Sequence, residues 1–303
     1  MIEHIARTVY YLGVHLLYAS FVWLTALCLT TVIRGTATTK YWIWVGTSLN
    51  FIFPFGALLD KALASHLSGA RPLNFVGTFG LGVAENAVVI GTVWLVGVLL
   101  MLTRLCLRLR TEGRELSGQS MNDRAFVADG VPVEFAGNQV PAVNGVLHTR
   151  ISLPKGIDRL LTKSELNAVL LHEVTHAKRR DNLIRLIHEG GLCLLWFHPL
   201  MWITGSQLAL YREFSCDERV IRSAHGPELI SALTKLTNLE TTPLLQASAS
   251  SFMSRRLALL AAPQRSGTLI IGNALLVALF STSAVAGVYE TVAHTACCFI
   301  LKR

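Results

Sequence analysis

The chain has 303 residues, of which 52% are hydrophobic and only 15% are charged, and its mean hydropathy is +0.48. This composition excludes an ordinary water-soluble domain and indicates a polytopic membrane protein with the lipid bilayer as a partner. The formal net charge of +8 is attributed to arginines that flank apolar segments and attract anionic lipid, so no direct nucleic-acid partner is predicted.

Four charge-poor windows are long enough to cross a bilayer, which takes roughly 20 apolar residues. In chain order they are residues 8–33, 41–59, 80–103 and 266–289. The first three fall within residues 1–110, and the fourth belongs to a C-terminal part, residues 265–303. We therefore predict an α-helical protein with four transmembrane helices and an inserted domain, residues 111–264, between the third and the fourth.

A fifth uncharged window, residues 190–211, is predicted not to span the membrane. It contains Gly190, Gly191 and the pair His198-Pro199, which suit a bent pair of helices buried in protein or lying at the interface. If this window crossed the bilayer, the residues on its two sides could not form one site.

The basic residues of the short loops favour one orientation of the chain. Arg34 and Lys40 follow the first window, and arginines 104, 108, 110 and 114 follow the third. Since basic loops stay on the cytoplasmic side, the inserted domain is predicted to be cytoplasmic, with both ends of the chain outside, in a bacterial inner membrane.

Short runs rich in β-branched residues, within 125–135 and 140–154, predict a small sheet. An exposed edge strand can receive an extended peptide through backbone hydrogen bonds with little demand on side chains. The candidate substrate-binding residues are Val143, Asn144, Gly145 and Val146. A purely structural hairpin is the alternative reading of each of them.

The next segment predicts a helix that carries a metal site. Thr162 and Glu165 form a capping box at its start, and His172, Glu173 and His176 form the pattern H-E-x-x-H. Two histidines four residues apart share one face of a helix, so both imidazoles can bind one Zn²⁺ at about 2.0–2.1 Å. Zinc would lower the pKa of a water molecule, and Glu173 would take and return its proton as general base.

A third zinc ligand is predicted on a later helix. The metzincin pattern is excluded, because Arg179 and Asn182 occupy its glycine and histidine positions. Glu213 and Asp217 are four residues apart, so Glu213 can bind zinc while Asp217 accepts a hydrogen bond from a ligand imidazole. This arrangement predicts an α+β metallopeptidase domain of the gluzincin type, in which the neighbouring Cys216 packs as a small apolar residue. The chain beyond Glu213 is predicted to be helical to about residue 241.

The donor that stabilises the oxyanion of the transition state stays open. The candidates are Tyr211, His188, Arg212 and His198, and a structural role explains each of them equally well. No role is assigned to Cys297 and Cys298.

Together these motifs resemble the membrane metallopeptidases of the BlaR1/MecR1 type, peptidase family M56. The resemblance rests on His172 to His176 with the following residues 178–182, on residues 197–202 and on residues 212–219. The strand region, residues 141–154, is also similar. The likeness is close over residues 131–221 and looser over the arrangement of three spans, zinc domain and fourth span.

The resemblance implies a cytoplasm-facing zinc endopeptidase that relays a signal by cleaving a BlaI/MecI-like repressor and itself. In that family pattern His172, His176 and Glu213 bind zinc, and Glu173 is the general base. Self-cleavage is expected near Ser251 and Phe252, in a polar and flexible stretch. The antibiotic-sensing members carry a penicillin-binding sensor after the fourth span, and this sequence stops at Arg303, so β-lactam sensing is not predicted.

Two other functions stay open. One is a housekeeping quality-control protease of the M48 type, which also combines H-E-x-x-H with a later glutamate. The other is a membrane adaptor without catalysis that keeps a degenerate zinc-protease fold for binding a partner. A homodimer is an open alternative for the oligomeric state.

Overall fold

The structure, a computed structural model, describes residues 2–32, 35–53, 86–117, 126–136 and 140–237, together with Arg256. Three helices come first: α1 (Ile2–Val32), α2 (Ala37–Ile52) and α3 (Ala87–Ser117). Four strands follow: β1 (Phe126–Ala128), β2 (Val131–Ala136), β3 (Ala142–Asn144) and β4 (Arg150–Pro154). The remaining helices are α4 (Ile157–Leu160), α5 (Lys163–Arg179), α6 (Asp181–Leu194), α7 (Pro199–Arg222) and α8 (Gly226–Thr237).

The fold is mostly helical, and two of the described helices are long and apolar enough to cross a membrane. The qualifying segments are His15–Val32 in α1 and Ala87–Glu112 in α3. Hydrophobic side chains such as Val88 and Leu100 of α3 are exposed, as expected for a surface that faces lipid. The fourth predicted span, the expected self-cleavage site at Ser251 and Phe252, and Cys297 and Cys298 lie outside the described residues.

The predicted sheet is present, with the strand order β1-β2-β4-β3. Asp129 and Gly130 join β1 and β2 in a tight hairpin turn. Both residues have positive φ, 47° and 82°, which a two-residue turn of this kind requires at its central positions. β2 and β4 are parallel, whereas β3 is antiparallel to β4 and lies at the edge.

One side of helix α5 packs against this sheet, and the opposite side carries the predicted ligands His172 and His176. The predicted capping box is confirmed: the Thr162 hydroxyl accepts from the backbone of Glu165, whose carboxylate accepts from the backbone of Thr162. Val169 and Val174 are buried in one core, which also contains residues of the sheet and of α8: Val131, Val133, Ile151, Leu153, Leu229, Ala232 and Leu236.

The apolar window at residues 190–211 is divided between α6 and α7, and it does not form one continuous helix. The chain leaves α6 at Leu194, and α7 begins at Pro199. His188 lies against Gly205, and Gly191 lies near Met201. These pairs show that α6 and α7 run antiparallel, as a helical hairpin, which agrees with the predicted bent pair of helices.

The hairpin packs along α2 over most of the length of that helix. The Ser48 hydroxyl lies 2.8 Å from Nδ1 of His188, and the rings of Phe51 and His198 have centroids 4.9 Å apart. One hydrophobic core joins α1, α2, α6 and α7, with buried members that include Trp23, Tyr41, Trp44, Phe51, Leu195, Met201 and Leu208. Helices α1 and α2 and two helices of the predicted inserted domain therefore share one interior.

Helix α3 supports the hairpin from another side. Trp94 donates its indole N–H to the carbonyl of Leu194 at 3.0 Å, and Arg108 pairs with Glu189. Gly97 is required at this contact, because a Cβ there would overlap the ring of Trp196. The tip of the hairpin is thus placed beside the apolar part of α3.

Candidate metal centre

Two histidines of α5 converge at the centre of the site. His172 and His176 stand one turn apart on the helix, and their Nε2 atoms are 3.1 Å apart. Only 4% of His172 and 9% of His176 is exposed. Two imidazole nitrogens that face each other this closely can share one cation, because each offers a lone pair when neutral.

Glu213 of α7 completes a group of three donors. Its Oε2 lies 3.5 Å from Nε2 of His172 and 3.7 Å from Nε2 of His176. Tetrahedral coordination with bonds of 2.0–2.1 Å places ligand atoms about 3.3 Å apart. The three predicted ligands are therefore brought together with a spacing and a donor chemistry that fit zinc.

Behind His172 lies a buried carboxylate that is paired with an arginine. Nδ1 of His172 lies 3.1 Å from Oδ1 of Asp217, the predicted imidazole partner, without the direction of a well-aligned hydrogen bond. Asp217 is fully buried and accepts two hydrogen bonds from Arg256, at 2.9 Å from Nε and 2.8 Å from Nη2. This bidentate pair compensates a carboxylate that would be costly to bury alone.

Behind His176, a second carboxylate and arginine repeat the arrangement. Nδ1 of His176 donates to Oδ2 of Asp181 at 2.6 Å, and Arg179 donates to both oxygens of Asp181 at 2.7 Å. Arg180 adopts the left-handed conformation at φ 58°, which costs a non-glycine residue about 1 kcal/mol or more. This turn ends α5, starts α6 and brings Asp181 back to His176.

Cys216 lies on the same side as Asp181. It is buried, as predicted, with its Sγ atom 3.5 Å from Nδ1 of His176. These two residues and Asp181 form a second group of potential ligand atoms. A guanidinium nitrogen of Arg179 already lies 3.3 Å from the sulfur, so a cation is present there.

The charges of the site shift the pKa values of its ligands in opposite directions. Burial raises the pKa of Glu213, but His176, His172 and Arg212 outweigh it and hold that pKa well below its usual range. Burial lowers the pKa of His172, but Asp217 and Glu213 outweigh it and raise that pKa to about 9. The carboxylate is therefore ready to bind a cation at neutral pH, and a metal ion bound at Nε2 of His172 would displace a proton from that ring.

Glu173 and the edge strand border one cleft of about 220 Å³. It is lined by residues of β3 and its approach, of α5, of α6 and of α7: Pro141, Ala142, Val143, Glu173, His176, Asp181, Asn182, Arg185, Arg212 and Glu213. The carboxylate of Glu173, two of the three predicted metal ligands and the edge of a sheet thus face the same space, an arrangement that suits hydrolysis of an extended peptide.

At the edge strand, the carbonyls of Val143 and Gly145 accept hydrogen bonds from the side-chain amide of Asn182, at 2.9 and 3.0 Å. Asn144 donates its amide to the hydroxyl of Ser152 on β4. Val146 lies just after the strand, outside the cleft lining. Of the four candidate residues, Val143 is therefore the one that lines the cleft.

Among the four candidates for the oxyanion donor, Arg212 lies at the cleft, where its Nε is 3.1 Å from Oε1 of Glu213. His188 and His198 lie along the hairpin against α2. Tyr211 lies beneath the ammonium group of Lys40.

Asp181, Arg179 and Arg256 were not among the sequence candidates. Asp181 had a weak signal, because it follows His176 by five residues at the end of a helix. Nothing near Arg256 in the sequence indicates that it pairs with a carboxylate 39 residues earlier.

The comparison with known families decides the membership of the chain. The family model described as BlaR1 peptidase M56 matches residues 12–260. The chain belongs to this family. The family resemblance predicted from the sequence is therefore confirmed, and the match includes every residue of the centre described above.

Individual relatives match shorter parts. The regulatory protein BlaR1 of Bacillus licheniformis is 39% identical over 87 residues, which are 27% of this chain and 14% of that protein. The methicillin resistance mecR1 protein of Staphylococcus aureus is 22% identical over 151 residues, 46% of this chain and 26% of that protein. Protease HtpX homolog 2 of Methanosarcina acetivorans is 27% identical over 172 residues, 46% of this chain and 54% of that protein. The matched parts thus cover well under two thirds of each relative.

Proposed function

We propose that the chain is a membrane-bound zinc endopeptidase with His172, His176 and Glu213 as metal ligands and Glu173 as general base. One observation carries the proposal: three donor atoms lie together with zinc-like spacing, and two of the residues that carry them line a cleft with Glu173 and an edge strand. Membership in the M56 peptidase family supports the same chemistry.

Each of these residues has its own role in the proposed hydrolysis of a peptide bond. Zinc, when bound, supplies Lewis acidity to the peptide carbonyl and to a water molecule. Glu173 accepts a proton as the water oxygen bonds to the carbonyl carbon, and it delivers that proton to the amide nitrogen as the C–N bond breaks. Val143 can bind the substrate backbone, because a carbonyl oxygen has a second lone pair beyond the one that Asn182 uses.

The biological role that we propose is regulatory, with a BlaI/MecI-like transcriptional repressor as the substrate. Two relatives support this role by name, one as a regulatory protein and one as a methicillin resistance protein. We further propose a multi-pass protein of the bacterial inner membrane with four spans, a catalytic domain in the cytoplasm, and self-cleavage near Ser251 and Phe252. The two apolar helices support the membrane location.

The test uses the full chain, purified in detergent. Metal analysis should find about one zinc per chain, and incubation with a purified BlaI-type repressor should give defined fragments by mass spectrometry. Replacing Glu173 by Gln should leave zinc bound and slow cleavage by about 100-fold or more, the usual contribution of a general base.

The matched control replaces Glu134 by Gln. Glu134 lies on β2 and pairs with Arg150 at 3.5 Å, outside the lining of the cleft, so this variant should cleave as fast as the wild type. Undiminished cleavage by the Glu173 variant, or a wild-type chain without zinc, would contradict the proposed function.

A second candidate is a quality-control protease, which the likeness to the HtpX homolog favours. Such an enzyme should cleave unfolded model proteins, such as casein, at many positions, and it should leave a folded repressor intact. The same purified chain therefore separates the two candidates in one experiment.

A further inference from the structure

Helix α2 reaches the metal centre through one buried hydroxyl group. Tyr41, in the first turns of α2 and 1% exposed, donates its phenolic O–H to Oδ1 of Asp181 at 2.8 Å. The other oxygen of Asp181 accepts from Nδ1 of His176 at 2.6 Å. Two hydrogen bonds thus connect a helix in the N-terminal part of the chain to a predicted zinc ligand.

The ring of Tyr41 also contacts Arg179, the arginine that pairs with Asp181. The guanidinium carbon of Arg179 lies 4.1 Å from the centroid of this ring, and Arg179 is the residue that pairs with both oxygens of Asp181. Tyr41 therefore positions Asp181 directly by its hydroxyl and indirectly by its ring. Groups that hold the far nitrogen of a ligand imidazole fix its tautomer and orientation.

The position of α2 is set along its length by the helices that build the centre. Near its start, the backbone N–H and the hydroxyl of Thr38 both donate to Oε2 of Glu218, at 3.1 Å. Further along, Ser48 contacts His188 at 2.8 Å. Since a hydrogen bond of 2.8 Å is lost beyond about 3.5 Å, an axial shift of α2 by about one residue, 1.5 Å, is enough to weaken the contact from Tyr41.

We propose that Tyr41 is a positioning residue through which α2 orients His176, so that displacement of α2 loosens the zinc site and reduces proteolysis. This inference rests on the proposed function, and it names how that site is regulated. The hydroxyl of Tyr41, with Asp181 between, would be the point where a change in the packing of the N-terminal helices reaches the catalytic metal.

The test removes one oxygen atom and keeps the ring. Tyr41→Phe in the full chain should weaken zinc binding by about fivefold, less than the roughly 10- to 100-fold loss that follows removal of a direct partner of a metal ligand, because Arg179 still holds Asp181. Zinc affinity is measured by competition with a chromophoric chelator, and repressor cleavage is followed in parallel at saturating zinc.

The matched control is Tyr18→Phe. Tyr18 is a buried tyrosine of α1, 6% exposed, whose hydroxyl has no hydrogen-bond partner among the described residues. This variant loses the same atom from a similarly buried site, and its zinc affinity should stay within about twofold of the wild type. A Tyr41→Phe chain that binds zinc as tightly as this control would overturn the inference.

A double-mutant cycle with Asp181→Asn separates a relay from two independent effects. If Tyr41 acts through Asp181, then Tyr41→Phe adds little in the Asp181→Asn background, whereas additive losses of affinity would contradict the relay. A wild-type chain that binds no zinc would instead contradict the proposed function. Zinc binding and Glu173-dependent cleavage with a neutral Tyr41→Phe would contradict only the role of Tyr41.

Discussion

Arg256 gives the sharpest test of how the metal centre is stabilised. Its guanidinium group, 7% exposed, neutralises the fully buried carboxylate of Asp217 through two hydrogen bonds. It also lies 3.7 Å from Oε2 of Glu213. The perturbation is Arg256→Met, because methionine keeps much of the apolar stem and removes the charge.

The expected cost follows from burial. Removing one partner of a buried ion pair leaves the other charge uncompensated, which destabilises a protein by about 3–5 kcal/mol. At about 2–4 °C per kcal/mol for a domain of this size, the apparent Tm should fall by about 6–20 °C. Adding Asp217→Asn should recover part of this loss, because the uncompensated charge is then gone.

The assay is thermal unfolding of the full chain in detergent with a chelator present, so that bound metal does not contribute. The control is Arg222→Met, which removes an arginine that pairs with Glu218 from a side chain 57% exposed. This surface pair should contribute less than about 1 kcal/mol. If the Arg256 and Arg222 variants unfold at the same temperature, or if the double variant is less stable than Arg256→Met alone, the reasoning is wrong.

Three further predictions concern the edge strand and pH. Asn182→Ala should raise the KM for repressor by about fivefold and leave zinc content unchanged, because the carbonyl of Val143 loses a hydrogen bond of about 1 kcal/mol; steady-state kinetics with metal analysis checks this. Lys235 and other partners lower the pKa of Glu165 to about 2. The ionised carboxylate should therefore stabilise the fold above pH about 4.3, the ordinary pKa of a glutamate, and this stabilisation should be lost as the pH falls towards 2. Denaturation curves of the wild type and of Glu165→Gln should converge at that low pH. Zinc binding at pH 7 should release a proton from His172, whose pKa is about 9 without the ion, and calorimetry in buffers of different ionisation enthalpy should detect it; buffer-independent heats would count against it.

The helical spacing made much of the centre predictable. His172 with His176, and Glu213 with Asp217, are pairs four residues apart, so each pair shares a helix face whatever the rest of the fold does. The capping box at Thr162 likewise depends on local contacts alone. The sequence could therefore indicate the candidate ligands and the start of the helix that carries two of them before any tertiary contact was known.

The supporting residues depend on longer-range geometry. Asp181 reaches His176 only because Arg180 adopts positive φ, which is rare outside glycine, asparagine and aspartate. Tyr41 is 140 residues from Asp181 in the chain, and no periodicity connects the two. Hydropathy alone would also predict residues 190–211 to be one membrane span. In the structure the helix is broken between Leu194 and Pro199.

The end of the predicted helix after Glu213 shows the same limit. The pattern predicted helix to about residue 241, whereas α7 ends at Arg222 and α8 begins at Gly226. Between them Ala224 has φ 61°, so the chain turns and α8 packs onto α5. The apolar residues of α8, such as Leu229 and Leu236, then enter the core, which outweighs helix continuation.

The shared interior of α1, α2, α6 and α7 has a practical consequence for biochemistry. Met201 and Leu208, on the helix that carries Glu213, are covered by Trp44 and other residues from the first part of the chain. A fragment cut to contain only the strands and later helices would present these side chains to solvent and aggregate. Enzymology on this protein therefore calls for the intact polypeptide in micelles or nanodiscs, and a soluble excised fragment is a poor substitute.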